Sequence, residues 1–351
     1  MTAVGPWRVY WGDLHGHTEN SDGQGSLDHY FTYARDTARL DFVAVTDHDY
    51  SNTAPWRVSQ ALWAEATAKA EQYTVDGRFV GIAGYEWTTN PRYWTDVGPR
   101  FGGPARYYNH KTVYFPGTVP DLFAACEVAS NTPDLLAALV RPSGGLIHNN
   151  HLDPGQWPGE FDYSAASAQV IANSEIRADT VYYGDRTYIV QSERALRAYL
   201  RAGGRTGFVA GTDTHEGRPV ARTAVLAAAL TRPALFDALR ARRTYAVSHA
   251  PIGLDVRING HFMGEEIAIR GAPRIAVRVS GTDLIEEVSI VRDGAVLHTV
   301  HPGARKAAFD HVDTTFAGAS WYYVRVVQAD RDPHGNHSRA WSSPSWVRAA
   351  D

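Results

Sequence analysis

Trp7–Trp11 is a short apolar and aromatic run that leads straight into Gly12-Asp13-Leu14-His15-Gly16-His17-Thr18. In a strand, residues two apart point to the same side, so His15 and His17 can face one metal ion. Two histidines at that spacing are common by chance. The reading therefore depends on whether further ligands converge on the same place.

The chain offers them in series. Asp22 lies in Ser21-Asp22-Gly23, and Thr46-Asp47-His48-Asp49 follows the apolar run Phe42–Val45. Glu86, in Gly84-Tyr85-Glu86-Trp87, follows Phe79–Ala83, and His110 opens the run Lys111–Phe115. His148 and His151 flank Asn149-Asn150 after Leu146–Ile147, and Asp213 and His215 follow Phe208–Ala210. Each ligand type sits at one end of a predicted strand, mostly the C-terminal end.

Helical patterns separate several of these strands: Ser26–Leu40, Ser59–Tyr73, Pro133–Leu139 and Ser192–Ala202 ahead of Gly203-Gly204. The alternation argues for a parallel α/β architecture, and a closed or distorted barrel would gather the strand ends at one face. After Tyr245 the texture changes to alternating apolar and polar residues. Ile252–Asn259, Arg274–Val279, Glu287–Arg292 and Trp321–Ala329 read as strands, with turns at Asn259-Gly260 and Asp293-Gly294. The expected organisation is a large unit over 1–249 and a small antiparallel β-sandwich over 250–351. Asn90–Asn109, rich in Gly, Pro, Arg and aromatics without a period, reads as a long functional loop over the site.

Composition bounds the function. The 351 residues are 44% hydrophobic and 21% charged, with a formal charge of −4. No basic field marks nucleic acid or an anionic membrane as an obligatory partner, which leaves a small molecule as the expected one. The single Cys126 makes no internal disulfide, which fits a cytoplasmic setting. No stretch approaches the ~20 apolar residues of a membrane span. Oligomeric state is not legible.

In its His-x-His, Ser-Asp-Gly, Thr-Asp-His, Glu, His, His and Asp-x-His blocks, in this order from about residue 8 to 250, the chain resembles the PHP (polymerase and histidinol phosphatase) family. Its β-rich tail, together with Ser174-Glu175-Ile176, is similar to the DUF3604 branch of that family. The resemblance implies a distorted (β/α)7 barrel that binds two to three divalent metals. Carried onto matching positions, His15, His17, Glu86 and Asp213 would hold one metal. Glu86 would bridge to a second metal held by His110 and by His148 or His151, and Asp22, His48 and His215 would hold a third. Where the family has one histidine, this chain has two. His148 is the expected ligand because it lies directly after the strand, with His151 left to contact substrate.

Imidazole and carboxylate ligands without thiolate suit zinc, manganese or iron. Metals held there would lower the pKa of a water from ~15.7 toward ~7 and neutralise phosphoryl oxygens, so the resemblance points to a phosphoesterase for small mono- or diesters. The same centre could open a C–N, lactone or carboxylic ester bond, or the metals could stabilise a non-enzymatic binding protein. Glu86, Asp213 and Glu175 are the candidate catalytic carboxylates, the last for substrate binding or proton transfer. Arg106, Lys111, Arg177 and Arg218 are candidate phosphate contacts, since arginine donates two parallel hydrogen bonds to phosphate. Asp13 and Asp47 either orient imidazoles or cap the adjoining turns. Trp87, Trp94, Tyr107 and Tyr108 either pack or wall the site. His249 is expected at the junction with the tail, and His298, His301, His311, His334 and His337 on its surface.

Overall fold

The computed structural model describes residues 3–4, 6–49, 60–89, 108–117, 121–152, 160–177, 180–183, 186–189 and 192–350. Arg106, Trp94, Tyr107 and most of the 90–109 loop lie outside these residues. The first half is a sheet with helices: β1 (Trp7–Asp13), α1 (Leu27–Thr32), β2 (Phe42–Val45), α2 (Gln60–Tyr73), β3 (Val80–Thr88), β4 (His110–Tyr114), α3 (Pro133–Val140), β5 (Leu146–Asn149), β6 (Ile171–Glu175), α4 (Ser192–Arg201), β7 (Gly207–Val209), β8 (Arg222–Ala227), α5 (Arg232–Arg240) and β9 (Thr244–Val247). Local chemistry starts the helices. Ser26 accepts from the His29 amide, and Thr132 and Thr231, with a proline one and two residues on, accept from Leu135 and Ala234. The strands β2, β3 and β6 are buried along their whole length, as strands covered on both faces are.

The sheet is mixed rather than parallel throughout. β1, β2 and β3 run parallel, as do β5, β6 and β7, but β4 is antiparallel to both its neighbours and β8 is antiparallel to β1. The ladder runs β8–β1–β2–β3–β4–β5–β6–β7. Its two ends meet through one side chain: the Thr223 hydroxyl on β8 receives the Ala210 amide at 2.8 Å and donates to the Ala210 carbonyl at 2.7 Å. The C-terminal ends of β1, β2, β6 and β7 and the residues just beyond them therefore lie round one rim.

The tail is β-rich and largely antiparallel: β10 (Gly253–Ile258), β11 (Arg274–Arg292), β12 (Ala295–Val300), β13 (Ala304–Val312), β14 (Ala319–Arg331), β15 (His337–Ser342) and β16 (Ser345–Ala349). Arg274–Val279 and Glu287–Arg292, which read as two strands in sequence, are the two ends of the single strand β11. That strand pairs with β13 along its first part and with β14 and β12 along its second. The tail also continues the first half. β9 pairs with β15, and a shared core packs Leu196, Leu200 and Phe208 with Trp321, Tyr323 and Trp341. Around it, Tyr323 donates to Glu193 Oε1 at 2.5 Å and receives Arg197 Nε at 2.8 Å. His249 faces Asp330 across the same junction at 3.4 Å.

Among the described residues no helix is long and apolar enough to cross a membrane. Because Leu196 is fully buried between the two halves, Leu196→Ala is expected to cost about 2–5 kcal/mol. Urea unfolding followed by tryptophan fluorescence and by circular dichroism should show both signals shifting together in one transition. Two separate transitions, with only one displaced, would contradict the shared core.

Candidate metal centre

The ligand segments are stitched together by main-chain bonds beyond the strand ends. The His17 amide donates to Thr214 O at 2.8 Å, Thr46 N to Gly16 O at 2.9 Å, Asp213 N to His15 O at 2.9 Å and Asp49 N to Glu86 O at 3.0 Å. Buried carboxylates fix the loops between. Asp13 accepts from the amides of His15, Thr212 and Ala221 at 3.2, 3.0 and 3.0 Å. Asp47 accepts from the Thr18 amide and the Ser21 hydroxyl, both at 2.7 Å. Both aspartates thus tie loops together, and among the described residues neither has a hydrogen bond or ion pair with an imidazole. The Arg177 guanidinium donates to the carbonyls of Gly211 and Thr212, bracing the loop that carries Asp213.

At the centre lies Glu86, with no exposed surface. Its Oε1 stands 3.2 Å from His15 Nε2, 3.1 Å from His110 Nδ1 and 2.9 Å from His151 Nε2. Its Oε2 stands 3.0 Å from His48 Nδ1 and 3.4 Å from His17 Nε2. Asp213 Oδ1 lies 3.1 Å from His17 Nε2 and 3.4 Å from His15 Nε2. Asp22 Oδ2 lies 3.3 Å from His215 Nε2 and 3.6 Å from His48 Nε2. The donor atoms fall into overlapping groups: His17, Asp22, His48 and His215; His15, His17 and Glu86; His15, His151 and Asp213; and His48, Glu86 and His110.

This donor set fits divalent cations. Nitrogen and oxygen ligands about 2.0–2.2 Å from one ion stand about 3–3.4 Å from one another, which is the spacing found round Glu86. The buried Oε2 of Glu86 makes no aligned hydrogen bond among the described residues, because His48 Nδ1 is turned to the Thr88 hydroxyl at 2.7 Å. Burial would raise the Glu86 carboxyl, yet His48, His15 and His110 hold it well below the usual carboxylate range. The imidazoles split in opposite directions. Against the cost of burial, Glu86 and Asp22 push His48 up to about 9, whereas burial pushes His110 down to about 4. A shell of nitrogen donors in which some imidazoles hold a proton and others shed it is one that a cation can unify.

Of the two histidines in and just after β5, the structure brings His151 to the cluster and keeps His148 away, the reverse of the order expected from sequence. His148 still belongs to the strand. Its ring packs on Tyr114 at 4.6 Å and its Nε2 lies 3.4 Å from Asn173 Nδ2, in surroundings that push it down to about 3. Three residues later the chain turns at His151, whose φ of 26° swings the imidazole onto Glu86.

Lys111 also departs from expectation. It points to the opposite side of β4 from His110 and is fully buried, donating to Asn149 Oδ1 at 2.7 Å and Glu160 O at 3.1 Å. Burial pushes its ammonium down to about 7. Trp87 is core, donating to Ser130 O at 2.8 Å. Glu175 lies behind His15 rather than among the converging donor atoms, and Arg218 is exposed just beyond His215.

Asn150 is the residue that sequence reasoning passed over. It donates to Glu86 Oε1 at 2.9 Å and receives the Thr112 amide at 3.2 Å, so it fixes the central carboxylate from β4. Its position between two candidate histidines was the available signal.

No family model matches the chain. It is 24% identical over 379 residues to an uncharacterized protein of Chlamydia pneumoniae, and 24% identical over 396 residues to one of Chlamydia trachomatis. In both cases the match takes in 97% of this chain and 57% of the relative, so the chain spans little more than half the length of these relatives. A crystal structure from Bacteroides vulgatus, of a two-domain protein containing a predicted PHP-like metal-dependent phosphoesterase, matches with a TM-score of 0.50 at 14% identity. That match covers 99% of this chain and 97% of the other. The likeness is one of fold.

The geometry separates the two histidines experimentally. Purified His151→Ala should lose bound metal by elemental analysis, whereas His148→Ala should keep the wild-type metal content even if its stability falls. The opposite pattern would return the ligand role to His148.

Proposed function

We propose that the chain is a metal-dependent phosphoesterase acting on a small phosphate mono- or diester, as a DUF3604-type member of the PHP family. The observation that carries the reading is the buried Glu86 carboxylate ringed by His15, His17, His48, His110 and His151. The fold shared with the Bacteroides protein supports it.

His15, His17, Asp22, His48, Glu86, His110, His151, Asp213 and His215 would hold two to three divalent ions of zinc, manganese or iron. Bound there, such ions supply Lewis acidity, which makes a water acidic and offsets charge on phosphoryl oxygens. The chain's own residues supply order. Asn150 and the main-chain bonds hold Glu86 in one pose, and Asp13 and Arg177 hold the loop of Asp213 and His215. Among the described candidates, Arg218, exposed beyond that loop, would receive phosphoryl oxygens, its planar fork matching two of them. The net charge of −4 favours a small ester over a long polyanion.

The test pairs metal analysis with hydrolysis of p-nitrophenyl phosphate and bis-p-nitrophenyl phosphate. Wild-type protein should turn over one of them with added metal and lose that activity on chelation. Glu86→Gln should show only metal-free background. A metal-replete wild-type protein inert to both esters, or an active Glu86→Gln, would contradict the assignment.

A further inference from the structure

Glu175, the last residue of β6, has 3% of its surface exposed and spends both carboxylate oxygens behind the cluster. Oε1 accepts from His15 Nδ1 at 2.8 Å, and Oε2 accepts from the main-chain amide of His151 at 3.0 Å. We propose that Glu175 is a positioning residue that sets two of the three ligands of the His15–His151–Asp213 group, so that this group can hold one of the metal ions. The inference rests on the metal-centre reading above and replaces the proton-transfer or substrate role expected for Glu175 from sequence.

Three observations converge on it. First, an ionised carboxylate only accepts hydrogen bonds, so Nδ1 of His15 carries the proton. The opposite nitrogen, Nε2, 3.2 Å from Glu86 Oε1 and 3.4 Å from Asp213 Oδ1, then presents a lone pair to an ion. Second, His151 adopts a φ of 26°, a conformation that L-residues rarely hold without an anchor, and its amide is anchored on Glu175. One carboxylate thus sets the tautomer of one ligand and the backbone of another. Third, the space it occupies is kept open by glycine. A Cβ on Gly211 would stand 2.2 Å from Glu175 Oε1 and 2.6 Å from His15 Cβ. The parallel pairing of Glu175 with Val209 brings that glycine alongside.

Glutamine keeps the shape and breaks the logic. Whichever way its amide is turned, its NH2 faces either the His15 Nδ1 proton or the His151 amide proton. His15 must then move its proton to Nε2, where it blocks an ion, or His151 must lose its anchor.

The experiment is equilibrium dialysis against buffered zinc, with elemental analysis, of wild type, Glu175→Gln, His151→Ala and the double variant. At a free zinc concentration that fills the wild type, Glu175→Gln should hold one ion fewer, its weakest site loosened by about 10–100-fold. The double variant should lose no more than His151→Ala alone, and Glu175→Asp should recover part of the loss. A second readout needs no variant: long-range 1H–15N spectra of zinc-loaded wild type should show His15 protonated at Nδ1. An unchanged zinc complement and affinity in Glu175→Gln, a loss spread evenly over all sites, or His15 protonated at Nε2 would overturn the proposal. Wild-type protein that binds no zinc, manganese or iron would overturn the metal-centre reading and this inference with it.

Discussion

A carboxylate with no access to water has to be compensated within the protein, and Glu86 is compensated by five imidazoles brought from four separate places in the chain. Desolvating an ion costs several kcal/mol even after the protein relaxes. Neutral imidazoles return only part of that, and protonated ones crowd like charges together. The arrangement balances best with cations among the donor atoms. The placement of β1, β2, β3, β4 and the turn after β5 can be read as what is needed to surround one glutamate.

The rest of the first half serves that geometry. Ligands at strand ends would splay unless their loops were tied, and the ties are buried carboxylates that accept from main-chain amides and a hydroxyl: Asp13 for the 212–221 loop and Asp47 for residues 18–21. Asp213 and His151 both have positive φ, at 55° and 26°. Such conformations cost about 1–3 kcal/mol each and persist only where neighbours over-determine them. His15 O holds the amide of one and Glu175 that of the other. Strain is thus concentrated where donor atoms have to converge, while the apolar cores under α2, α3 and α5 and across the β9–β15 ladder carry the stability.

Much of this was legible in the sequence, for reasons that differ by element. Phe42–Val45 is the observed strand to the residue, because a buried strand is a plain apolar run bounded by polar residues. Most of the candidate ligand blocks could be picked out because they lie at one end of such a run, as His15, His48 and Asp213 do after one and His110 at the start of another. The direction of β4 was not, since strand pairing depends on where the chain returns and leaves no local pattern. β8 and α5 went unread: Arg222–Ala227 carries no turn signal, and the alanine-rich stretch before Thr231 hides the helix start. The split of β11 into two expected strands came from the polar Ser280–Glu286 segment, which the ladders with β13 and β14 bridge. His148 and His151 show the limit of proximity as a guide. Adjacency to the strand favoured His148, but within the strand its side chain faces the interior, and only the later turn reaches the rim.

The central claim is that the Glu86 cluster holds metal. Crystals of the protein grown with zinc or manganese and measured on both sides of the metal absorption edge test it most directly. The account predicts anomalous peaks between Glu86 and the imidazoles of His15, His17, His48, His110 and His151, with both carboxylate oxygens of Glu86 engaged. A map without peaks there, in which the same imidazoles stay hydrogen-bonded to the carboxylates, would contradict it.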